Sequence, residues 1–264
     1  MAVYEGEESR RWAVMGIINA TPDSFHPDSR SGDVERAMQM IDDGADWIDI
    51  GGESTRPGAE PVSIEEELSR VIPLVEAISP HCRVSIDTRN VEVARAALVA
   101  GAVMVNDVSG LRDPEMVNLV LESDCYVCIM HMLGEPGTMQ DNPDYEDVVQ
   151  EVNDYLLSKA RELVEGGHSI DKIFLDPGIG FGKKLEHNIA LLNASEELRP
   201  YSVLWGVSRK SMIGEICEQP DTSQRLAGTL AVAAKAHRLG VEIIRVHDVR
   251  EHVDLLKVLD ALED

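Results

Sequence analysis

The chain has 264 residues, 44% of them hydrophobic, and its 48 acidic and 24 basic side chains give a formal net charge of −24 at pH 7. Such an acidic surface makes nucleic acid and anionic membranes poor partners. No apolar run approaches the roughly 18 residues of a transmembrane helix, and no Pro- or Ser-rich linker divides the chain. We therefore expect one domain over residues 13–264, preceded by a short lead-in over residues 1–12 that lacks a secretory signal.

The basic side chains are divided unevenly, with 17 Arg and only 7 Lys. An acidic, lysine-poor chain with 4% aromatic residues is typical of adaptation to high salt, where screening mutes repulsion between like charges. We infer a haloarchaeal cytoplasm, with a merely acidic mesophilic protein as the alternative. The cysteines are too few for a disulfide framework, and reduced thiols are favoured over a zinc or redox site. They are Cys82, Cys125, Cys128 and Cys217.

Short apolar segments alternate with amphipathic helical patterns at intervals of about thirty residues. Strands are predicted at residues 13–19, 47–51, 83–87, 103–107, 126–130, 172–176, 203–207 and 243–246. Helices are predicted at residues 33–43, 64–79, 91–100, 114–122, 145–166, 186–198, 222–239 and 249–262. Eight such units fit a single (β/α)8 TIM barrel, whose typical size is roughly 250 residues. The alternative, a doubly wound open sheet, would more often carry a G-x-G-x-x-G turn after its first strand, where this sequence has none.

The segment FLDPGIGFGK, residues 174–183, ends the sixth predicted strand at a carboxylate, Asp176. Pro177 cannot donate to a strand ladder, and the three glycines that follow allow backbone conformations closed to other residues. The loop therefore brings main chain, the ring of Phe181 and the cation of Lys183 close to whatever lies beyond the strand. A carboxylate there can accept a forked pair of N–H donors, as a guanidine-like heterocycle edge presents them. The alternative is a plain glycine-rich turn with Asp176 as its cap.

Two further strand ends add polar groups to the same face, because the carboxyl ends of all strands in a parallel barrel meet there. Asp87 ends the third strand and Asn106 lies near the end of the fourth, so that with Asp176 two carboxylates and an amide converge at the mouth. Burying them without donors would be costly, and a flat ligand rich in N–H groups would supply those donors. Met130 and Met132 could form the floor of an aromatic pocket, although core packing is the commoner role of Met.

Basic residues also gather on or just after the carboxyl ends of predicted strands. They are Arg56, Lys183, Lys184, Arg209, Lys210, Arg245 and His247. We infer an anion site at the mouth, with phosphate or pyrophosphate as first candidates; scattered helix-capping cations are the alternative. Asn19, which ends the first strand, could offer an oxygen to Mg²⁺, an ion that usually keeps waters and relies on substrate phosphates. The polar segment 25–32 is predicted to be a mobile loop that could close over the mouth.

Eight segments together resemble the dihydropteroate synthase family. In chain order they are MGIINATPDSF, DIGGESTRPGA, SIDT, NDVSG, MHM-x-G-x-P-x-TMQ, DPGIGFGK, GVSRKSMIG and RVHDV, and they span residues 15–249. Each is weak alone, whereas eight in the correct order are specific. The resemblance implies a transferase that condenses 6-hydroxymethyl-7,8-dihydropterin pyrophosphate with 4-aminobenzoate to 7,8-dihydropteroate and pyrophosphate. It also implies Mg²⁺ as cofactor and a homodimer.

The resemblance implies roles for individual residues. The pterin would be held by Asp87, Asn106, Met130, Asp176 and Lys210. The pyrophosphate would be held by Thr55, Arg56, Arg245 and His247, and its Mg²⁺ by Asn19. The aminobenzoate would be framed by Thr55, Pro57, Phe181 and Ser208. The residues expected to be catalytic are Arg56, Lys210, Arg245 and His247.

The first loop departs from the family's usual pattern. Phe25 is followed by His-Pro-Asp-Ser-Arg, where a Ser-Asp-Gly-Gly-like segment is usual, and Asp28 is the candidate replacement for the family's loop aspartate. The segment 225–229 opens a helix expected to pack at the dimer interface. Two other functions stay open. A pterin-dependent methyltransferase of the methyltetrahydrofolate:corrinoid type needs no pyrophosphate site, and a non-catalytic pterin-binding protein would have lost its anion site.

Overall fold

Eight parallel strands close into a barrel in the computed structural model of the chain, which describes residues 12–20, 27–53, 62–135 and 137–263. The strands are β1 Ala13–Asn19, β2 Trp47–Gly51, β3 Arg83–Asp87, β4 Met104–Asp107, β5 Tyr126–Met130, β6 Ile173–Asp176, β7 Ser202–Gly206 and β8 Ile243–Val246. The helices are α1 Pro27–Asp42, α2 Ile64–Ile78, α3 Val91–Ala100, α4 Pro114–Ser123, α5 Val148–Glu165, α6 Leu185–Asn193, α7 Ser211–Ile216, α8 Leu226–Arg238 and α9 Val249–Glu263. Each strand pairs with the next and β8 pairs with β1, so the predicted (β/α)8 barrel is confirmed.

A layer of apolar side chains fills the inside of the barrel. Its buried members are Ala13, Met15, Trp47, Met104, Cys128, Phe174, Leu204 and Ile243. Tyr126 packs beside this layer and meets the Trp47 ring edge-on, with centroids 5.5 Å apart. Because side chains alternate along a strand, the residue two positions after a member of this layer also points inward, one level closer to the carboxyl ends. The residues of the candidate site occupy that level.

The larger core lies between the outer faces of the strands and the inner faces of the helices. Local sequence sets several helix ends. Ser63 caps α2 by accepting the N–H of Glu66 (3.2 Å), and Asp113 caps α4 by accepting the N–H of Glu115 (2.8 Å). Helix α3 ends at Gly101, whose φ of 115° is in the left-handed region that favours glycine.

The helix predictions differ from the structure at several places. Helix α5 begins at Val148 and not at residue 145, and α6 ends at Asn193, before a 3-10 turn at Ser195–Leu198. Helix α1 begins at Pro27, so the predicted loop 25–32 was wrong over residues 27–32. Proline is common at the first position of a helix, where a backbone N–H would have no partner within the helix. The short helix α7 was not predicted. The helix predicted at residues 222–239 begins only at Leu226, after a 3-10 turn at Thr222–Gln224.

Trp12 is the part of the predicted lead-in that the structure describes. It is buried, and its indole Nε1 donates to Asp260 Oδ2 on α9 (2.8 Å). The boundary between the lead-in and the domain stays a prediction. All four cysteines are free thiols, and Cys125 and Cys128 are buried. Over the described ranges, no helix has the length and apolar character needed to cross a membrane.

Candidate active site

A level of polar side chains lies above the apolar interior, at the carboxyl ends of the strands. Asp87 and Asn106 are register partners on β3 and β4, and Met130 and Asp176 are register partners that end β5 and β6. Asn106, Met130 and Asp176 are buried. The structure thus brings the two predicted carboxylates and the predicted amide to one end of the barrel.

Arg245, on β8, connects residues of this level through hydrogen bonds. Its Nε donates to Asp49 Oδ2 (2.5 Å) and its Nη2 donates to Asp87 Oδ2 (2.7 Å). Asn106 Nδ2 donates to the same Asp49 oxygen (3.2 Å). Asp49, on β2, is fully buried. One guanidinium therefore links carboxylates on the neighbouring strands β2 and β3 and, through Asp49, the amide of β4.

Asp176 and Lys210 form the other half of the level. Asp176 Oδ1 accepts the N–H of Gly178 (2.7 Å), which fixes the carboxylate. Lys210 Nζ donates to the carbonyl of Ile179. A Cβ built on Gly206 would lie 3.7 Å from Asp176 Oδ2, 3.9 Å from Lys210 Nζ and 4.0 Å from Arg245 Cδ. Gly206 therefore opens a space that all three charged groups border.

Burial dominates the electrostatics of this space. It raises the pKa of Asp87 to about 7, against the opposing effect of Arg245. It raises the pKa of Asp176, against Lys210, and lowers the pKa of Lys210 to about 8, against Asp176. The pKa of Arg245 falls with burial but rises more through Asp49 and Asp87, so the net shift is upward. Ionised carboxylates here depend on the cations beside them.

An apolar wall borders the same space. Lys210 Nζ lies over the Phe181 ring, 4.6 Å from its centroid, a cation–π contact. The ring packs against a separate buried cluster made of Val108, Met130, Met132 and Met139. The methionines predicted from the sequence to floor a pocket therefore lie together beside Phe181.

Lys183 does not face the mouth, contrary to its grouping with the anion-binding cations. It is 4% exposed, and its Nζ lies within hydrogen-bond distance of His131 Nδ1 (3.1 Å), the His131 carbonyl (3.2 Å) and the Phe181 carbonyl (2.9 Å). An ammonium has three N–H donors, so these acceptors use them all. Lys183 joins the connection after β5 to the connection after β6.

Side-chain contacts also join the connection after β7 to the connection after β8. Ser208 Oγ lies 2.9 Å from His247 Nδ1 and accepts the backbone N–H of His247 (3.2 Å). Arg209 forms a forked ion pair with Asp248. The structure therefore places Ser208 and His247 in contact with each other, and it engages Arg209, another predicted anion-site cation, with a carboxylate.

Comparison with known proteins gives the family. Residues 15–247 match the family described as pterin binding enzyme. The dihydropteroate synthase of Escherichia coli (strain K12) is 46% identical over 256 residues, covering 94% of this chain and 90% of that protein. The chain belongs to the dihydropteroate synthase family. The predicted family, transferase class and function are confirmed at this level.

Solved dihydropteroate synthases share the fold. The Burkholderia cenocepacia enzyme, complexed with 7,8-dihydropteroate, has a TM-score of 0.88 and 47% identity over 96% of this chain and 91% of that one. The Xanthomonas albilineans enzyme, with 4-aminobenzoic acid, has a TM-score of 0.89 and 41% identity over 96% of this chain and 93% of that one.

Several residues that the family resemblance singled out lie outside the described part of the chain. They are Phe25, Thr55, Arg56 and Pro57. Asp28 lies in the first turn of α1. The roles of these residues stay predictions.

Asn19 ends β1 and is exposed, beside Gly51 of β2. Across the described ranges no group of three or more His, Cys, Asp or Glu side chains could hold a metal. One strand-end amide fits a Mg²⁺ held mainly by pyrophosphate and water, which is the usual mode of this ion.

Neither Asp49 nor Gly206 was predicted from the sequence to be a site residue, although both border the site. Asp49 lies 196 positions from Arg245 in the chain, and no local pattern connects the two. Gly206 carries a weak signal, since it directly follows the apolar residues of a buried strand at the end where barrel enzymes keep their sites.

Proposed function

We propose that this member of the dihydropteroate synthase family joins 6-hydroxymethyl-7,8-dihydropterin pyrophosphate to 4-aminobenzoate, releasing pyrophosphate and forming 7,8-dihydropteroate. The observation that carries the proposal is the space above Gly206, bordered by Asp176, Lys210 and Arg245. It combines buried acceptors for N–H groups with cations that suit a departing anion. The 4-aminobenzoate and dihydropteroate complexes of the related enzymes support it.

Asp87, Asn106 and Asp176 would accept the N–H groups of the pterin's pyrimidine edge. Asp87 now pairs with Arg245 (2.7 Å), and burial holds its pKa near 7. A neutral ring with several N–H donors satisfies such buried acceptors without adding a charge. Lys210 would also hydrogen-bond the pterin, and Met130 would line the ring's face.

The pyrophosphate would lie among Arg245, His247, Thr55 and Arg56. Asn19 would hold Mg²⁺ on it, and the ion would neutralise charge on the leaving group. Arg245 and His247 follow one another closely at the end of β8. Arg245 contacts Asp87 at the end of β3, and His247 contacts Ser208, just after β7. These residues would act where negative charge develops as the C–O bond breaks.

The chemistry would be substitution driven by the leaving group. The arylamine nitrogen is a weak nucleophile, so the pterin methylene carbon gains positive character as the C–O bond breaks and its electron pair leaves with pyrophosphate. The amine then forms the C–N bond and loses a proton. Three carboxylates near Arg245, namely Asp49, Asp87 and Asp176, would stabilise the positive intermediate. The aminobenzoate would lie against Phe181, Ser208, Thr55 and Pro57, and no side chain would form a covalent intermediate.

The deciding experiment is pyrophosphate release from the dihydropterin pyrophosphate, measured in multimolar KCl with Mg²⁺, with and without 4-aminobenzoate. We expect release that depends on the arylamine and is lost in Asp176→Asn and Arg245→Ala. The matched controls are Asp171→Asn, which is exposed, and Arg95→Ala, whose side chain is 57% exposed.

Tight pterin binding without release at any salt concentration would overturn the synthase proposal. A non-catalytic pterin-binding protein would then remain. Methyl transfer from a methylated folate, with no need of pyrophosphate, would instead support the methyltransferase.

A further inference from the structure

The backbone turns sharply between β7 and α7, at Arg209. Lys210 N donates to the Val207 carbonyl (3.3 Å), so residues 207–210 form a turn with Arg209 at its third position. The φ of Arg209 is 55°. This left-handed conformation is disfavoured in residues that have a Cβ, and glycine is the usual occupant of the third position in turns that require it. It persists only where the surroundings over-determine it.

Four contacts hold Arg209 in that conformation. Its Nε donates to Asp248 Oδ2 (2.9 Å), and its Nη2 donates to Oδ1 of the same carboxylate. Its backbone N–H donates to Thr229 Oγ1 (3.1 Å), and its carbonyl accepts from Arg225 Nη1 (3.0 Å). The forked pair joins the turn to the connection after β8, and the other two contacts join it to the start of α8.

The residues on either side of Arg209 both face the site. Ser208 Oγ contacts His247 Nδ1 (2.9 Å), and Lys210 Nζ lies over the Phe181 ring (4.6 Å). Strand β7 ends at Gly206, so the turn, and not strand alternation, gives both side chains this direction. The conformation of residue 209 therefore determines where Ser208 and Lys210 point.

We propose that the ion pair between Arg209 and Asp248 positions the active site: it holds residue 209 in the left-handed region and thereby fixes Ser208 and Lys210, without touching either substrate. Only the identity of the substrates rests on the proposed function. Arg209 and Asp248 are positioning residues in this account.

Three single variants separate the backbone role from a role of the guanidinium itself. Arg209→Gly removes the guanidinium but favours the positive φ of the turn. Arg209→Ala removes the guanidinium and keeps the cost of a positive φ. Asp248→Asn weakens the two hydrogen bonds between Arg209 and residue 248. We expect Arg209→Ala and Asp248→Asn to weaken binding of the dihydropterin pyrophosphate by roughly tenfold, because the competent turn becomes a minor conformer. Arg209→Gly is expected to stay within about threefold of wild type. In turnover, KM for the pterin should rise more than kcat falls.

The double variant Arg209→Gly with Asp248→Asn is the sharpest test. If Asp248 acts only by holding residue 209, its loss should have no further effect once glycine occupies the turn, so the two changes will not add. The control pair is Glu218→Gly and Glu218→Ala, at an exposed residue that also has a positive φ (53°). This pair should differ in thermal stability but not in pterin affinity.

The proposal is overturned if Arg209→Gly and Arg209→Ala lose the same affinity, which would place the guanidinium on the substrate, or if all the variants bind and turn over as wild type does. Affinity is measured by equilibrium binding, separately from turnover. A wild type that binds the pterin without releasing pyrophosphate would refute the proposed function, and the order of the variants would still decide on Arg209. A wild type that does not bind the pterin would refute both.

Discussion

Gly206 borders three charged groups, and the space beside it accommodates a methyl group in the free protein. A Cβ there would lie 3.7–4.0 Å from Asp176, Lys210 and Arg245, which is ordinary van der Waals contact. We predict that Gly206→Ala folds normally and binds the dihydropterin pyrophosphate about ten- to a hundredfold more weakly, because the methyl group overpacks the space of the pterin. Isothermal titration and a thermal melt measure both effects. Gly137→Ala, at a position with no neighbouring heavy atom within 4 Å, is the control. Unchanged affinity in Gly206→Ala would refute the placement of the pterin beside Gly206.

His131 gives a prediction about pH. Burial, followed by the charge of Lys183, lowers its pKa from 6.5 to about 3. Between these values the unfolded chain binds a proton that the folded protein does not, so stability is lost as the pH falls below 6.5. From pH 7 to pH 5.5, wild type should lose about 1 kcal/mol more unfolding free energy than His131→Gln. Urea unfolding at both pH values measures this difference, with the exposed His81→Gln as control. Equal losses in wild type and His131→Gln would show that His131 takes up its proton in the folded state.

At the scale of elements, the connections after β5 and β6 form one unit around Lys183. Tyr145 Oη donates to the Gly182 carbonyl (2.8 Å) and Gln140 Nε2 donates to the Gly180 carbonyl (2.6 Å), on either side of Phe181. A Cβ on Gly178 would overlap the His131 carbonyl oxygen, and the φ of 66° at Gly178 also favours glycine. The position of the Phe181 ring therefore depends on contacts between the two connections.

We predict that Lys183→Met destabilises the protein by about 2–3 kcal/mol, because the buried carbonyls of His131 and Phe181 lose their N–H donor. The KM for 4-aminobenzoate should rise more than the KM for the pterin, since Phe181 belongs to the aminobenzoate side. Denaturant unfolding and steady-state kinetics measure the two effects. Lys172→Met, which removes a partly exposed pair with Asp124, is the control. If Lys183→Met is as stable as wild type, Lys183 does not stabilise the two connections.

The sequence allowed the elements to be predicted well where hydrophobic period and turn chemistry agree. The strands β1, β2, β3, β5 and β8 have their predicted bounds. Helix ends were less accurate, because α1 begins inside a Pro-, Ser- and Gly-rich segment that looks like a loop. The convergence of Asp87, Asn106 and Asp176 followed from barrel geometry. The pairing of Arg245 with Asp49 and Asp87 did not, because it joins residues 196 and 158 positions apart.

At the scale of the whole molecule, the net charge of −24 leaves a large surplus of carboxylates over cations. One chain of alternating charges joins four successive connections on the rim, in the order Glu53, Arg89, Glu135 and Arg112. Glu135 is 63% exposed, so its pairs contribute little stability and weaken in salt. The main effect of salt should therefore come from screening the repulsion among the surplus carboxylates.

We predict that thermal stability rises with KCl between dilute buffer and multimolar salt. A gain of a few kcal/mol would raise the midpoint by about 5–10 °C in a domain of this size. Differential scanning calorimetry across the series measures it, with sucrose as a neutral, excluded solute for comparison. A midpoint that falls with KCl would refute the predicted adaptation to high salt. Analytical ultracentrifugation of the same samples tests the predicted homodimer.

The division of the site between strand ends and connections has a consequence for inhibition. The proposed pterin contacts Asp87 and Asn106 are strand-end residues tied to Arg245 and Asp49 by buried hydrogen bonds. Phe181 lies on a connection between elements. An inhibitor that imitates the pterin would meet side chains whose replacement removes a hydrogen bond from this network around Arg245 and Asp49. One that imitates the arylamine would meet side chains that can change while the barrel stays intact, so escape mutations should collect on that side.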